Sequence, residues 1–270
     1  MHDNLSAVLA HNATHSKIKR LEIKYIDLSQ RLSASRDLAQ FICKMPHLRE
    51  LCLGDEYRPS LHEELYSTLS SLASSTKIEC IEIKYIDLSQ RPSASRDLAQ
   101  FICKMPNIRE LHLGNKLGFT SPSLHEEFYS TLSSLASCAK IERLNINRVD
   151  LNQRLSASRD LAQFICKMPN LRELHLGDKL GLASPSLHEE FFSTLSSLAS
   201  SAKIETLHHS ENLSACPSAS RDLAQFICKM NYLKNLTLDG QYHDDFYSTS
   251  SSMASTAKNM RKMNLSIMPS

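Results

Sequence analysis

The stretch Leu171-Arg172-Glu173-Leu174-His175-Leu176 has apolar residues at its first, fourth and sixth positions. Openings with this pattern follow one another at intervals of 27 to 33 residues. They begin at Ile18, Leu48, Ile78, Ile108, Ile141, Leu171, Ile204, Leu233 and, more weakly, Met260. Alternation of apolar and polar residues across positions 4 to 6 is typical of a short strand with one buried face.

A helix is predicted behind each strand, and two kinds of helix alternate. In the first A unit, Leu38, Phe41, Ile42 and Met45 lie at i, i+3, i+4 and i+7 and form one apolar stripe. The A helices share the string Ser-Ala-Ser-Arg-Asp-Leu-Ala-Gln-Phe-Ile-Cys-Lys-Met, with the Arg at Arg36, Arg96, Arg159 and Arg221. The B helices share Ser-Leu-His-Glu-Glu, which starts at Ser60, Ser123 and Ser186.

Serine residues are the candidate caps of both kinds of helix. We expect Ser33 or Ser35 to cap the first A helix, because a serine hydroxyl can accept from free backbone N–H groups. Ser60, Ser123 and Ser186 each stand three residues before a Glu, which is the spacing of a capping box.

One strand and one helix of about 30 residues cannot bury both of their apolar faces alone, so such units stack on their neighbours. A helix needs roughly 8–10 Å of width and a strand about 4.8 Å, which forces the stack to curve. The sequence therefore predicts an α/β solenoid, a horseshoe with parallel strands on the concave side and helices on the convex side. We expect a single solenoid domain with tandem A/B units over residues 1–231. Residues 232–270 would form a degenerate repeat or cap. The alternative is that the chain is a fragment of a longer protein.

The pattern Leu-x-x-Leu-x-Leu followed by a helix resembles the leucine-rich repeat of the ribonuclease-inhibitor-like type. The double units of about 60 residues, with Phe-Ile-Cys-Lys-Met-Pro ahead of a strand, resemble the repeat arm of invertebrate NACHT-containing NOD-like receptors. The resemblance implies a ligand-sensing or autoinhibitory module of an innate-immune receptor-like protein. No Gly-rich phosphate loop ending in Gly-Lys-Ser/Thr occurs in this sequence. The alternatives are a leucine-rich-repeat regulator of a GTPase and another non-enzymatic scaffold.

The sequence departs from the family at relative position 9, where Asn or Cys is usual. Apolar residues replace it in the A units, at Ile26, Ile86 and Val149, and charged residues replace it in the B units, at Glu56, Lys116 and Lys179. We expect the B units to turn earlier, at Gly54, Gly114 and Gly177.

Strand positions 3, 5 and 7 should point away from the helices, into the concave face. Position 7 holds Lys24, Lys84 and Asn147. A solvated charged rim accounts for most such residues, but together they could dock a protein partner. The candidate binding residues are Arg20, Glu22, Glu50, Glu82, Glu110, His112, Arg143, Asn145, Glu173, His175 and His208.

Composition and motifs exclude several other classes of function. The 31 Lys and Arg against 29 Asp and Glu leave a formal charge of +2. A nucleic-acid-binding protein needs a larger excess of positive charge than this. No run of 18 apolar residues indicates a membrane span, and the first residues do not resemble a signal peptide, so we expect a cytoplasmic protein. No Ser/His/Asp set or carboxylate pair points to an enzyme or to a cofactor. The oligomeric state stays open.

Metal sites are not expected. His62-Glu63-Glu64 lacks the second His four residues after the first that a zinc-protease motif requires, since Tyr66 stands there. His175 and His208 should be strand neighbours, but a flat sheet brings few further ligands towards them.

We predict no disulfide among Cys43, Cys103, Cys166 and Cys228, which share one position of the A helix. Equivalent A helices should lie two units apart, roughly 16–20 Å, whereas a disulfide needs Cα atoms within about 7 Å. Titration of thiols without reductant should give the same total after denaturation as the reduced protein, with these four protected only in the folded state. A mass shift on reduction that maps to them would contradict the prediction.

Overall fold

The computed structural model describes residues 13–24, 26–54, 61–114, 122–177, 187–253 and 262–265. Within these ranges the strands are β1 (Arg20–Ile23), β2 (Glu50–Leu53), β3 (Cys80–Ile83), β4 (Asp87–Leu88), β5 (Glu110–Leu113), β6 (Ser123–Leu124), β7 (Arg143–Ile146), β8 (Glu173–Leu176), β9 (Thr206–His209), β10 (Asn235–Leu238) and β11 (Lys262–Leu265). All of them except β4 and β6 form one parallel sheet in which the strands follow their order in the chain. The two-residue strands β4 and β6 pair separately, also in parallel.

Helices connect the strands of the main sheet. The α-helices in the described ranges are α1 (Leu32–Lys44), α2 (Glu63–Leu72), α3 (Pro92–Lys104), α4 (Glu126–Leu135), α5 (Leu155–Lys167), α6 (Glu189–Leu198), α7 (Pro217–Lys229) and α8 (Asp244–Met253). Short 3-10 turns extend three B helices over Ala73–Ser75, Ala136–Cys138 and Ala199–Ser201. Strand and helix alternate in one direction, as parallel pairing without hairpins requires.

The core lies between the sheet and the helices and runs through every described unit. Strand positions 4 and 6 are buried, as at Leu174 and Leu176 of β8. They meet the apolar stripes of helices such as α5, in which Leu161, Phe164 and Ile165 are buried. The predicted α/β solenoid, with strands on the concave side and helices on the convex side, is confirmed.

The strands pair in register, so that equivalent positions form rows across the sheet. Glu110 of β5 lies between Cys80 of β3 and Arg143 of β7, and each row continues in this way through the sheet. A one-residue slip would exchange the buried and open faces of a strand, and burial of positions 4 and 6 therefore fixes the register.

The predicted turns of the B units are confirmed. Gly54, Gly114 and Gly177 have φ angles of +99°, +94° and +90°, which side chains rarely adopt. A Cβ atom at Gly114 would lie 1.6 Å from the carbonyl oxygen of Asn147 in the next unit. In the A units, Ile86 and Val149 are buried and fill the position that an Asn or Cys would occupy. Residues 56, 116 and 179 lie outside the described ranges.

The prediction that Ser33 or Ser35 caps the A helix is wrong. The helix begins at Leu32, and its N-cap residue, Arg31, makes no side-chain capping bond. Ser35 is fully buried, and at the equivalent position of α3 the Ser95 hydroxyl donates to the Leu88 carbonyl oxygen at 3.3 Å. Ser95 ties its helix back to the preceding strand segment, because its position faces the core.

The capping box predicted for the B helices is also wrong. The helix begins at Glu63, one residue after His62, and the Nδ1 atom of His62 accepts from the backbone N–H of Glu64 at 3.1 Å. His125 and His188 do the same for α4 and α6. Ser123 lies in β6, and Ser60 and Ser186 lie outside the described ranges. An imidazole Nδ1 reaches as far as an Asn side-chain oxygen, and it satisfies the same free N–H group.

Two recurring contacts join neighbouring helices on the convex side. A serine of each B helix donates to a glutamine of the next A helix, in the pairs Ser70–Gln100, Ser133–Gln163 and Ser196–Gln225. An arginine of each A helix pairs with an acidic residue of the next B helix, in the pairs Arg36–Glu64, Arg96–Glu127, Arg159–Glu190 and Arg221–Asp245. The interfaces between units are therefore chemically alike along the stack.

One strand breaks the apolar pattern. His209, at position 6 of β9, is fully buried where other strands carry Leu or Ile, and its Nδ1 lies 2.9 Å from the Tyr242 hydroxyl oxygen. Burial lowers the pKa of His209 from 6.5 to about 3. The folded chain therefore holds this imidazole neutral in mildly acidic solution, while the unfolded chain protonates it.

We expect Leu174→Ala to lower the free energy of unfolding by ~2–5 kcal/mol, because it removes buried contacts and leaves a cavity. His175→Ala, one residue along on the open face, is the matched control and should cost less than ~0.5 kcal/mol. Chemical denaturation of both variants measures the difference. Equal losses would mean that the strand register is wrong.

We expect His209→Leu to make stability less dependent on pH. The folded-state pKa of about 3 lies below the unfolded value of 6.5, so stability is full above pH 6.5 and is lost as the pH falls towards 3. That linkage costs the natural chain about 2 kcal/mol between pH 7 and pH 5. Denaturation at both pH values should show this loss in the natural chain and in a His208→Leu control, and a smaller one in His209→Leu. An equally steep loss in His209→Leu would contradict the assignment.

Candidate functional site

The eleven residues predicted as a binding surface all lie on the concave face of the sheet. Those at position 3 and those at position 5 form two adjacent rows across neighbouring strands. Their side chains are exposed or half-buried, in contrast to the buried residues between them. The structure thus places these residues together on one face, and their role in binding stays a prediction.

The first three strands carry a network of ion pairs. Arg20 pairs with Glu22 of its own strand and with Glu50 of β2, each at 2.8 Å. Hydrogen bonds from Lys24 and from Arg20 lower the pKa of Glu22 to about 2. Arg20 also lies 3.6 Å from the Glu82 carboxylate on β3. The opposite charges are mutually satisfied here, and each such exposed pair contributes at most ~1 kcal/mol to stability.

The strands from β5 to β10 carry a more varied set of polar contacts. Glu110 pairs with Arg143. The Asn145 amide nitrogen lies 3.1 Å from Nδ1 of His112, which joins β5 to β7. These side chains offer donors and acceptors of both charge signs over neighbouring strands.

Two histidines lie side by side further along the face. The rings of His175 and His208 have centroids 5.3 Å apart, as expected for strand neighbours. Nε2 of His175 lies 2.6 Å from the Glu173 carboxylate, and Nε2 of His208 lies 2.7 Å from the Asp239 carboxylate. Asp239 follows β10 at position 7 and is absent from the predicted set, which contains residues of positions 3 and 5 alone.

A shallow cavity of about 230 Å³ opens into this part of the concave face. It brings together six of the eleven predicted residues with two others, and is lined by Glu110, Arg143, Asn145, Asn147, Glu173, His175, Gly177 and His208. Arg20, Glu22, Glu50 and Glu82 are not among its lining residues, and His112 contacts Asn145. Gly177 was predicted only as a turn, and its missing side chain leaves room at the wall of the cavity.

The structure also groups three potential metal ligands that the sequence analysis did not connect. Ligand atoms of Cys80, Glu110 and His112 lie within 4.8 Å of one another on the concave face. A signal was present in the sequence, because Cys80 stands where the first and third A units have Arg20 and Arg143.

The four cysteines of the A helices lie away from this face. Cys43, Cys103 and Cys166 are buried, and burial raises the pKa of each thiol to about 12. Cys228 was expected on the buried stripe and is only half-buried. The eight cysteines all lie in the described ranges and form no disulfide there. The high thiol pKa values of Cys43, Cys103 and Cys166 do not suit these three side chains to nucleophilic chemistry.

A second depression, of about 470 Å³, lies on the helical side. Serine, lysine and apolar residues line it, namely Ser133, Ser134, Ser137, Cys166, Lys167, Met168, Pro169, Ser201 and Lys203. Among the described helices, none combines the length and the apolar character needed to cross a membrane.

Neither a family model nor a curated protein matches this chain. Among solved structures, the leucine-rich repeat-containing protein LegL7 from Legionella pneumophila is similar, with 17% identity, 95% of this chain and 86% of that chain covered, and a TM-score of 0.46. TLR13 in complex with ssRNA13 is similar at 12% identity and a TM-score of 0.42, over 95% of this chain and 33% of that one. The sheet itself shows an α/β solenoid of leucine-rich-repeat-like units.

Proposed function

We propose that the chain is a protein-interaction module that binds a polypeptide partner on its concave face. In this role it would act as a sensing or autoinhibitory repeat arm, similar to that of NOD-like receptors. The proposal rests on one observation: the helices of the repeats are alike, whereas the concave positions of the strands differ from repeat to repeat. The A units share an identical run of thirteen residues, from Ser33, Ser93, Ser156 and Ser218 onwards.

The concave positions of the same A units differ strongly. Position 5 holds Glu22, Glu82, Asn145 and His208 in the four copies. Packing explains the constant helices, because each must fit neighbours of the same shape. Packing does not constrain the side chains of the open face. The variation at position 5 therefore gives each A strand a different polar group on that face.

The size and rigidity of the face also suit a protein partner. Nine strands about 4.8 Å apart give it a length of roughly 40 Å, enough for a standard interface of about 800 Å² on each partner. Its side chains are held by pairs such as Asn145–His112 and His175–Glu173. Such prior ordering lowers the entropy that binding would cost.

The polar lining of the 230 Å³ cavity suggests where a partner would be recognised. Arg143 can pair with a carboxylate, while Glu173 can accept from a cationic or amide group. Asn145 and His208 can exchange hydrogen bonds with a peptide backbone. A segment with mixed charges fits this set better than one that is uniformly acidic, basic or apolar.

The partner can be identified by placing a photo-crosslinking residue at Asn145 and, as a control, at Lys203 on the helical side. A protein crosslinked from position 145 and not from position 203 is then purified and titrated by calorimetry. Arg143→Ala, Glu173→Ala and His208→Ala should include changes that weaken binding by ~1 kcal/mol or more. Lys203→Ala should leave the affinity unchanged.

Each variant also needs a denaturation curve, because surface substitutions should change stability by no more than ~0.5 kcal/mol. Unchanged affinity across all three concave variants, with the fold intact, contradicts the proposal. Loss of affinity in Lys203→Ala alone would place the binding site at the depression on the helical side.

A further inference from the structure

Three side chains of different chemistry converge on β3 and β5. Cys80 and Glu110 are register partners on the two strands, and His112 lies two residues after Glu110 on the same face. Their sulfur, oxygen and nitrogen ligand atoms lie within 4.8 Å of one another, and all three residues are half-buried. Partial burial limits competition by water while leaving a route for an ion to enter.

The ligand types favour one class of metal ion. A thiolate and an imidazole are poor ligands for Ca²⁺ and Mg²⁺, which prefer oxygen, whereas Zn²⁺ accepts sulfur, nitrogen and carboxylate oxygen together. Zn²⁺ bonds of about 2.0–2.3 Å in a tetrahedron place ligand atoms roughly 3.3–3.8 Å apart. Nε2 of His112 and Oε2 of Glu110 are already 3.5 Å apart. The remaining adjustment is within the reach of side-chain rotation.

The neighbouring strand supports both of the ligands on β5. Arg143 pairs with Oε1 of Glu110, whereas Oε2 faces His112. The Asn145 amide nitrogen lies 3.1 Å from Nδ1 of His112. Zinc binding requires the amide group to turn over, so that its oxygen accepts from Nδ1–H and Nε2 keeps its lone pair for the metal ion.

The next double unit provides an internal comparison. There the equivalent positions hold Arg143, Glu173 and His175, so the Glu–His pair is kept and the cysteine is replaced by an arginine. An arginine guanidinium is positively charged and has no lone pair to offer a metal. Cys80 is therefore the residue that turns a repeated Glu–His pair into a set of three ligands.

We propose that Cys80, Glu110 and His112 bind one Zn²⁺ ion, with a fourth coordination position open to water or another ligand. Binding releases the Cys80 thiol proton to solvent, while Glu110 binds as the carboxylate. A thiolate and a carboxylate together balance the charge of the ion. Glu110 and Asn145 also line the cavity of the concave face, but zinc binding needs no protein partner, because all three ligands and Asn145 belong to this chain.

The test is a titration of the reduced, metal-free chain with Zn²⁺ in competition with a chromophoric chelator. We expect one tightly bound ion per chain. Co²⁺ used as a spectroscopic probe should give a thiolate-to-metal charge-transfer band and the visible absorption of a tetrahedral site. Cys80→Arg, which installs the residue of the third A unit, should abolish the band and the stoichiometric binding, as should Cys80→Ser and His112→Ala.

Matched controls separate this site from others. His175→Ala removes the equivalent histidine of the next double unit, and Cys138→Ser removes an exposed thiol. Both should bind one ion as the natural chain does. Asn145→Ala should weaken binding by roughly 10–100-fold, the usual effect of losing a hydrogen bond to a ligating histidine. Circular dichroism confirms that each variant is folded.

Three results would overturn the proposal. The first is a natural chain that binds no stoichiometric Zn²⁺, and the second is unchanged affinity in both Cys80 variants. The third is loss of the ion in His175→Ala but not in His112→Ala, which would place it beside His208. None of these results bears on the protein partner, because the titration contains this chain alone.

Discussion

Burial between neighbouring units is the constraint on which the rest of the structure depends. No single strand and helix encloses a core, so Leu174 and Leu176 are covered only because α5 and α6 pack beside them. This shared burial fixes the strand register, and the register in turn aligns positions 3 and 5 into rows. The concave face, with its ion pairs and its cavity, is a consequence of how the apolar residues are spaced.

Much of this arrangement could be predicted from the sequence, because periods of 2 and 3.6 residues record which side of a strand or helix is buried. The turns at Gly54, Gly114 and Gly177 were also predictable from the residue type. The caps were not, because Ser35 and Ser123 were assigned from their general preference and not from the place where each helix begins. The cluster of Cys80, Glu110 and His112 escaped prediction because it depends on rotation about the bonds of three side chains. Periodicity along a strand does not report that rotation.

The two halves of the concave face differ in character. Around Arg20 and Glu22 the charges are neutralised by one another, and a partner would have to break those pairs before using them. From Glu110 to Asp239 the face offers histidines, an asparagine and a depression. The side chains of the second half are paired as well, as Arg143 is with Glu110 and His208 with Asp239, so the feature that distinguishes this half is its cavity.

The likeness of the interfaces between units has a genetic consequence. Deletion or duplication of one A/B double unit rejoins a B helix to an A helix. Deletion of the third double unit, for example, would replace the contacts Ser133–Gln163 and Ser196–Gln225 by the equivalent contact Ser133–Gln225. The near-identical repeats also provide the sequence identity on which unequal recombination acts. A chain built in this way can change in length while every junction still fits. Each such event adds or removes two strands from the concave face, so that the surface can diversify by recombination without loss of the fold.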